Sequence, residues 1–261
     1  MLTIGSIYGH GFDSTEFARL QKLGFNLRPE IASYAGSQSL RFIDFTEGPS
    51  LELIEVEDTD EYLAFIPAGM EPYCPGISLL LPPKEAPFIG GYERRFASLD
   101  PYRLHVNYDG STDYGRPGWT YLNFAKPVVA GTFIWLTAFD EPRPASKRKT
   151  AHPNGATHIL GLAFELDVEA LDELAELTGA GAIDGGLQIG EIAVWSRQAP
   201  AGLPSGSEKD FPLKSIVIET ECLDFFPSLS EQVEETVFLS RKAVVIETNP
   251  FSWDLVLVAS A

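Results

Sequence analysis

The stretch HPNGATHILGLAFELDVEALDELAELTG, residues 152–179, decides how the chain is to be read. Its apolar run ATHILGLAFEL (156–166) reads as a strand, and Asp167 follows as an N-cap. Val168, Leu171, Leu174, Ala175 and Thr178 then recur at helical spacing before a stop at Gly179. A strand running straight into an amphipathic helix occurs once before, in LTIGSIYGHGFDSTEFARLQKLGF (2–25). There Asp13 and Glu16 form a capping-box pair, while Phe17, Leu20 and Leu23 share a helical face and Gly24 ends it.

Three extended segments follow the first helix: 26–34, SLRFIDF (39–45) and SLELIEVE (50–57), with a Glu-Gly-Pro turn at 47–49. The order β-α-β-β-β therefore arises within about sixty residues. After the second helix come strand candidates LQIGEIAVWS (187–196), LKSIVIET (213–220), RKAVVIET (241–248) and DLVLVAS (254–260). Ser228 and Glu231 form a further capping box for a short helix. VIET occurs at 217–220 and again at 245–248, a coincidence of strand-forming residues rather than a repeat. Residues 82–155 are rich in Pro, Gly and aromatics and hold two strand candidates, YRLHVNY (102–108) and GTFIWLTAF (131–139). The segment is too apolar for a flexible linker, and it is expected to line part of a binding cavity. The chain is thus divided into a module at 1–85, an ordered connector with extra strands at 86–155, and a second module at 156–261.

With 261 residues, 44% hydrophobic and 21% charged, the chain has the balance of a globular protein with a substantial core. A net charge of −18 repels phosphate backbones and anionic lipid, which argues against nucleic acid and membranes as partners. The one basic cluster, SKRKT (146–150), reads as a solvated loop. No apolar run approaches the length of a membrane span, and the N-terminus lacks the pattern of a signal peptide. Cys74 and Cys222 stand far apart, which fits neither a disulfide framework nor a zinc knuckle and suits a reducing cytoplasm.

Two β-α-β-β-β units in tandem resemble the vicinal oxygen chelate superfamily of glyoxalases, extradiol dioxygenases and bleomycin-resistance proteins. KLGF (22–25) and SLELIEVED (50–58) resemble the helix end and the closing strand of a module there. GTFIWLTAFDEPRP (131–144), followed by HPNGATHILGLAFEL, is similar to the narrower glyoxalase-like domain family. The likeness covers most of residues 2–197, and the last forty or so do not follow the pattern cleanly. It implies an α+β fold in which tandem βαβββ modules curl a mixed sheet into a cup. It also implies a small-molecule ligand, in a monomer or a homodimer.

In that superfamily His and Glu ligands on the first and last strands of a module hold a divalent ion that acts as a Lewis acid. Mixed His and carboxylate donors suit Fe(II), Mn, Ni or Zn alike. Carried over by position, His158 stands on a first strand, with Glu165 seven residues on, and Glu52 on a last strand, where it would be both ligand and catalytic carboxylate. Glu52 and Glu55 face opposite sides, so at most one faces the cup. Ser6 stands where the first module should supply a ligand, with His10 close by at the strand's end. Glu219 and Glu247 are alternatives for the closing carboxylate of the second module. His152 reads as a structural residue of the HPNG turn.

His105, Tyr102, Tyr108, Trp119 and Trp135 are candidates for an aromatic pocket, with Arg94 and Arg95 as anchors for an anionic ligand. No GxSxG, HExxH, Walker or dinucleotide fingerprint is present. Two functions follow. One is a divalent-metal lyase, isomerase or dioxygenase acting on an oxygenated small molecule between modules. The other is a metal-free binding or sequestration protein of the bleomycin-resistance type.

Overall fold

The first helix begins where the chain supplies its own acceptor. The Asp13 carboxylate accepts from the amides of Thr15 and Glu16 at 2.8 and 2.9 Å, a cap worth ~1 kcal/mol. Glu16 does not close a capping box in return; its carboxylate lies 3.2 Å from Arg19. The Asp167 carboxylate caps the later helix through the amide of Ala170, and Gly179 ends it in the left-handed region at φ 67°. Leu174, Leu177 and Thr178 form its buried face, whereas Val168 is exposed.

The computed structural model describes residues 2–29, 31–34, 36–66, 70–82, 85, 88–141, 150–196, 211–226, 233–248 and 253–261. The first half of the chain gives β1 (Thr3–His10), α1 (Ser14–Lys22), β2 (Ala32–Tyr34), β3 (Gln38–Ile43), β4 (Ser50–Val56) and α2 (Thr59–Phe65). It continues through β5 (Gly76–Leu80), α3 (Ile89–Arg95), β6 (Pro101–Asn107), β7 (Gly118–Phe124) and β8 (Phe133–Phe139). The second half gives β9 (Ala156–Phe164), α4 (Val168–Thr178), β10 (Gly181–Ile183), β11 (Gly186–Ile189) and β12 (Ile192–Trp195). It ends with β13 (Leu213–Thr220), β14 (Val233–Phe238), β15 (Arg241–Ile246) and β16 (Asp254–Ala259). The expected short helix at Ser228 and most of the basic cluster, 146–149, lie outside the described residues.

These strands form two eight-stranded mixed sheets, β2-β3-β4-β1-β5-β8-β7-β6 and β10-β11-β12-β9-β13-β16-β15-β14. Adding eight to each label of the first order gives the second. Each sheet is itself two four-stranded units joined through antiparallel β1–β5 or β9–β13, and within each unit the first strand pairs in parallel with the last. The strands of residues 101–139 therefore complete the first sheet. The closing residues also follow the pattern, against expectation, because β14, β15 and β16 repeat the positions of β6, β7 and β8. The single strand expected over 187–196 is a hairpin, β11–β12, reversing at Gly190 with φ 61°. The segment expected to be extended from residue 26 is a strand only over Ala32–Tyr34.

Alternation along the strands gives each sheet two faces. Ile7, Leu51, Leu53, Ile77 and Leu136 of the first sheet join Leu162, Ile216, Ile218, Leu255 and Leu257 of the second in one core. Phe17, Leu20, Leu174 and Leu177 of α1 and α4 pack into that same core. The opposite faces are turned away from it and make separate clusters. Tyr8, Leu40, Ile54 and Trp135 lie on the first sheet, and Trp195, Val217, Phe238, Val256 and Val258 on the second.

Polar contacts stitch the halves together. His152 Nδ1 accepts from the amide of Asn26 at 2.9 Å while its Nε2 donates to the carbonyl of Asp44 at 3.0 Å, which bears out its structural reading. The Asn154 side-chain amide donates to Leu23 O at 2.9 Å, and Trp253, fully buried, donates from Nε1 to Tyr8 O at 3.3 Å.

Candidate ligand-binding face

The inner face of the first sheet, turned away from the shared core, is lined with rings. Tyr8 on β1, Trp135 on β8 and Tyr121 on β7 follow one another across it, with centroid separations of 5.3 Å from Tyr8 to Trp135 and 6.4 Å from Trp135 to Tyr121. Phe133 stacks on Trp135 at 5.1 Å, and Trp119 extends the row at 6.3 Å from Tyr121. The row is possible because residue 76 is glycine. A Cβ there would stand 2.3 Å from Cε1 of Tyr8, whose ring lies across β5 to reach its neighbours. Tyr8 and Trp135 form a buried floor, while Phe42, Trp119, Tyr121 and Phe133 keep part of their surface exposed. The indole Nε1 of Trp119 is buried with no hydrogen-bond partner among the described residues.

Glu52 belongs to this face. In the register it stands between Tyr8 on β1 and Phe42 on β3, and its side chain is partly exposed. His10, two residues beyond Tyr8, is enclosed by aromatic rings. Tyr8, Tyr62 and Tyr73 lie at centroid distances of 5.3, 5.4 and 5.8 Å, and Tyr62 Oη is 3.4 Å from Nε2. Burial drives its pKa down to about 4, so the ring is neutral at pH 7. Burial likewise pushes the Tyr62 hydroxyl and the Cys74 thiol up to about 12, which leaves both protonated and Cys74 a poor nucleophile.

His158 and Glu219 meet on the inner face of the second sheet. They are register partners on β9 and β13, with Nδ1 of His158 3.7 Å from Oε2 of Glu219. The other carboxylate oxygen accepts from Arg241 Nη1 at 2.8 Å, so a guanidinium already neutralises the carboxylate. Across β16 the residue paired with Glu219 is Val258, fully buried. A hydrocarbon thus stands where a third strand would supply a donor. Among the described residues no group of three or more His, Cys, Asp and Glu side chains is gathered to hold a metal. Three or more protein ligands are usual for a catalytic divalent ion, so this donor set does not fit one.

The expected ligands Glu52 and His158 lie on different sheets, each on the face turned from the shared core, and do not meet. The expected pocket of His105 with Trp119 and Trp135 does not form. His105 pairs with Thr120, and Trp119 pairs with Val106, which puts His105 on the core side. There it stacks on Tyr114 at 4.1 Å and holds Asp140 Oδ2 at 2.9 Å. Tyr108 does meet Trp119, at 5.6 Å. Arg94 is exposed on α3, a helix that packs Ile89 on the shared core, and Arg95 contacts Glu176 of α4. Neither arginine faces the ring-lined surface. Ser6 is buried, Glu165 pairs with Lys214, and Glu247 offers its carbonyl to Arg19. Tyr8, Tyr121, Phe133 and Arg241 were not foreseen as site residues.

A doubled sheet order built from four-stranded units, in each of which the first strand pairs in parallel with the last, decides the architecture. The chain has the vicinal oxygen chelate fold. Among solved structures it is similar to a catechol 2,3-dioxygenase at 12% identity and TM-score 0.54, covering 99% of this chain and 88% of that one. The 2,3-dioxygenase LapB from Pseudomonas sp. KL28 is similar at 10% identity and TM-score 0.57, over 99% of this chain and 92% of that one. The Mn(II)-bound glyoxalase from Novosphingobium aromaticivorans is similar at 9% and TM-score 0.51, over 99% and 81%. At such identities the likeness is one of vicinal oxygen chelate fold. No protein-family model matches the chain, and no curated protein does. Among the described residues no helix is long and apolar enough to cross a membrane.

Proposed function

We propose that the protein is a small-molecule binder that works without a metal and takes a flat, apolar ring compound on the inner face of its first sheet. The observation that carries this reading is the row Tyr8–Trp135–Tyr121–Trp119, in which Tyr121 and Trp119 keep exposed surface. Half-exposed rings over a buried aromatic floor favour a ligand that can stack between them. Burying about 200 Å² of apolar surface at ~25 cal/mol/Å² gives ~5 kcal/mol, a Kd on the order of 0.1–1 mM for a bare two-ring compound.

The alternative, a metal-dependent lyase, isomerase or dioxygenase, draws on the printed activities of the structural neighbours, one of which is a Mn(II)-bound glyoxalase. In this chain it would have to be built on His158 and Glu219, with Arg241 on the carboxylate and Val258 in place of a donor.

Dialysis separates the two. The protein is stripped with chelator, re-equilibrated with Mn, Fe(II), Ni or Zn, and passed through a desalting column, and a parallel sample is dialysed against naphthalene with chelator present. The expected outcome is metal far below one ion per chain, and naphthalene retained by the wild type but not by Trp135→Ala. About one ion per chain, lost in both His158→Ala and Glu219→Ala, would instead establish the metal reading.

A further inference from the structure

We propose that the outer edge of β6 docks a second copy of this chain, paired antiparallel about a two-fold axis so that the first sheets of the two copies run on into one. The proposal stands on the edge of the sheet and is independent of the binding reading above.

β6 is the outermost strand of the first sheet, and among the described residues no strand pairs with its far side. Tyr102, Arg103 and Leu104 are exposed in succession, with 39% of the tyrosine and 41% of the leucine accessible. Leu104 pairs with Tyr121 and Val106 with Trp119, so the ring-lined face runs out to the edge through apolar side chains. Tyr108, also exposed, continues it at 5.6 Å from Trp119.

An exposed apolar edge strand is a template for a further strand, and proteins that keep such an edge free place charges along it. The fold supplies its own comparison. β14 holds the same outermost place in the second sheet and carries Glu234 and Glu235, both exposed, one towards each face. β6 has no carboxylate along its length.

Charge permits a second copy here, and symmetry favours it. Two chains of net charge −18 repel one another as wholes. Residues 88–126, from α3 past β7, carry five basic and four acidic side chains. Around β6 they pair off, Arg103 with Glu93, Arg116 with Asp109 and Lys126 with Asp100. Two copies can therefore meet at this edge without like charges facing each other. The strand is also complementary to itself. With Leu104 opposite Leu104 of the partner subunit, Tyr102 falls opposite Val106 and Arg103 opposite His105, so apolar residues meet on the ring-lined side.

The test is sedimentation velocity of the full chain from about 1 to 200 μM in about 0.15 M salt, where long-range repulsion is largely screened. A strand edge is a small interface, so the expected dimer has a Kd on the order of 10 μM, and the mass should double across the range. Leu104→Lys, at an exposed site, should keep the wild-type circular dichroism and stay monomeric throughout. Val237→Lys, at an exposed position of β14, should dimerise as the wild type does. Cys222→Ser removes the exposed native thiol. In that background Leu104→Cys should form a disulfide between copies under mild oxidation, because opposed residues of an antiparallel pair lie within disulfide reach, and Val237→Cys should not.

A wild type that stays monomeric at every concentration overturns the proposal. So does a dimer that persists in Leu104→Lys, because its interface then lies elsewhere. Loss of the dimer in Val237→Lys would put β14 in the interface and equally overturn the two-fold pairing of β6.

Discussion

His152→Ala is expected to lower the unfolding free energy by about 3 kcal/mol, read from urea denaturation of the variant beside the wild type. The side chain is buried and both ring nitrogens are used across the seam between the halves. Its removal takes a buried hydrogen bond from the carbonyl of Asp44, at a cost of ~1–3 kcal/mol. It also empties the space between Phe25 and Phe45, whose rings stand 5.8 and 5.5 Å from the imidazole. The hydrogen bonds fix the tautomer, with the proton on Nε2 facing Asp44 O and a lone pair on Nδ1 facing the Asn26 amide. An alanine variant as stable as the wild type would show that the seam does not depend on this residue.

Acid should destabilise the protein well above the range where carboxylates titrate. The pKa of His10 falls from 6.5 to about 4 on folding because burial penalises the charged ring. The unfolded chain therefore binds more protons between these values. The contribution is whole above pH 6.5, is lost as pH falls towards about 4, and changes little further below that. Across the window the loss is on the order of 3 kcal/mol. His152, also lowered by burial, adds to it with the same sign. Urea midpoints measured from neutral pH down to the lower value should fall steadily in the wild type, and the slope should be smaller in His10→Phe, which keeps a ring among Tyr8, Tyr62 and Tyr73. An unchanged slope in that variant would place the acid sensitivity elsewhere.

The parts of the fold that were legible in the sequence are those settled by neighbours along the chain. Asp13 and Asp167 cap helices with their own side chains, and Gly24 and Gly179 end them at positive φ, so both strand–helix units could be read directly. β5 (GISLL) and β7 (GWTYLNF) are hard to read in the sequence because each is set among prolines, glycines and polar residues that signal turns. The turn at Gly190 had its signal, a Gly-Glu pair between apolar runs, yet the continuous apolar pattern on either side masked it.

The site was less legible, since it depends on which strands become neighbours. Period two places Glu52 and Glu55 on opposite faces, as expected, but only the pairing with Tyr8 and Phe42 shows that the side Glu52 faces is aromatic. His105 could not be separated from Trp119 without the β6–β7 register. Arg241 reaches Glu219 from β15 across β16, a contact between residues 22 positions apart that no local pattern encodes. His158 and Glu219 do come together, but the third partner that decides their chemistry, Val258, stands on yet another strand.

The claim that the ring-lined face of the first sheet is the binding site is tested most directly by the tryptophan indole signals of the ¹⁵N-labelled protein. The chain has four tryptophans. Trp119 and Trp135 lie on that face, Trp195 belongs to the inner cluster of the second sheet, and Trp253 is buried against Tyr8 O between the halves. Naphthalene titrated in the presence of chelator should shift the signals of Trp119 and Trp135 and leave those of Trp195 and Trp253 in place. Movement of the Trp195 signal alone would put the ligand on the second sheet and contradict the account.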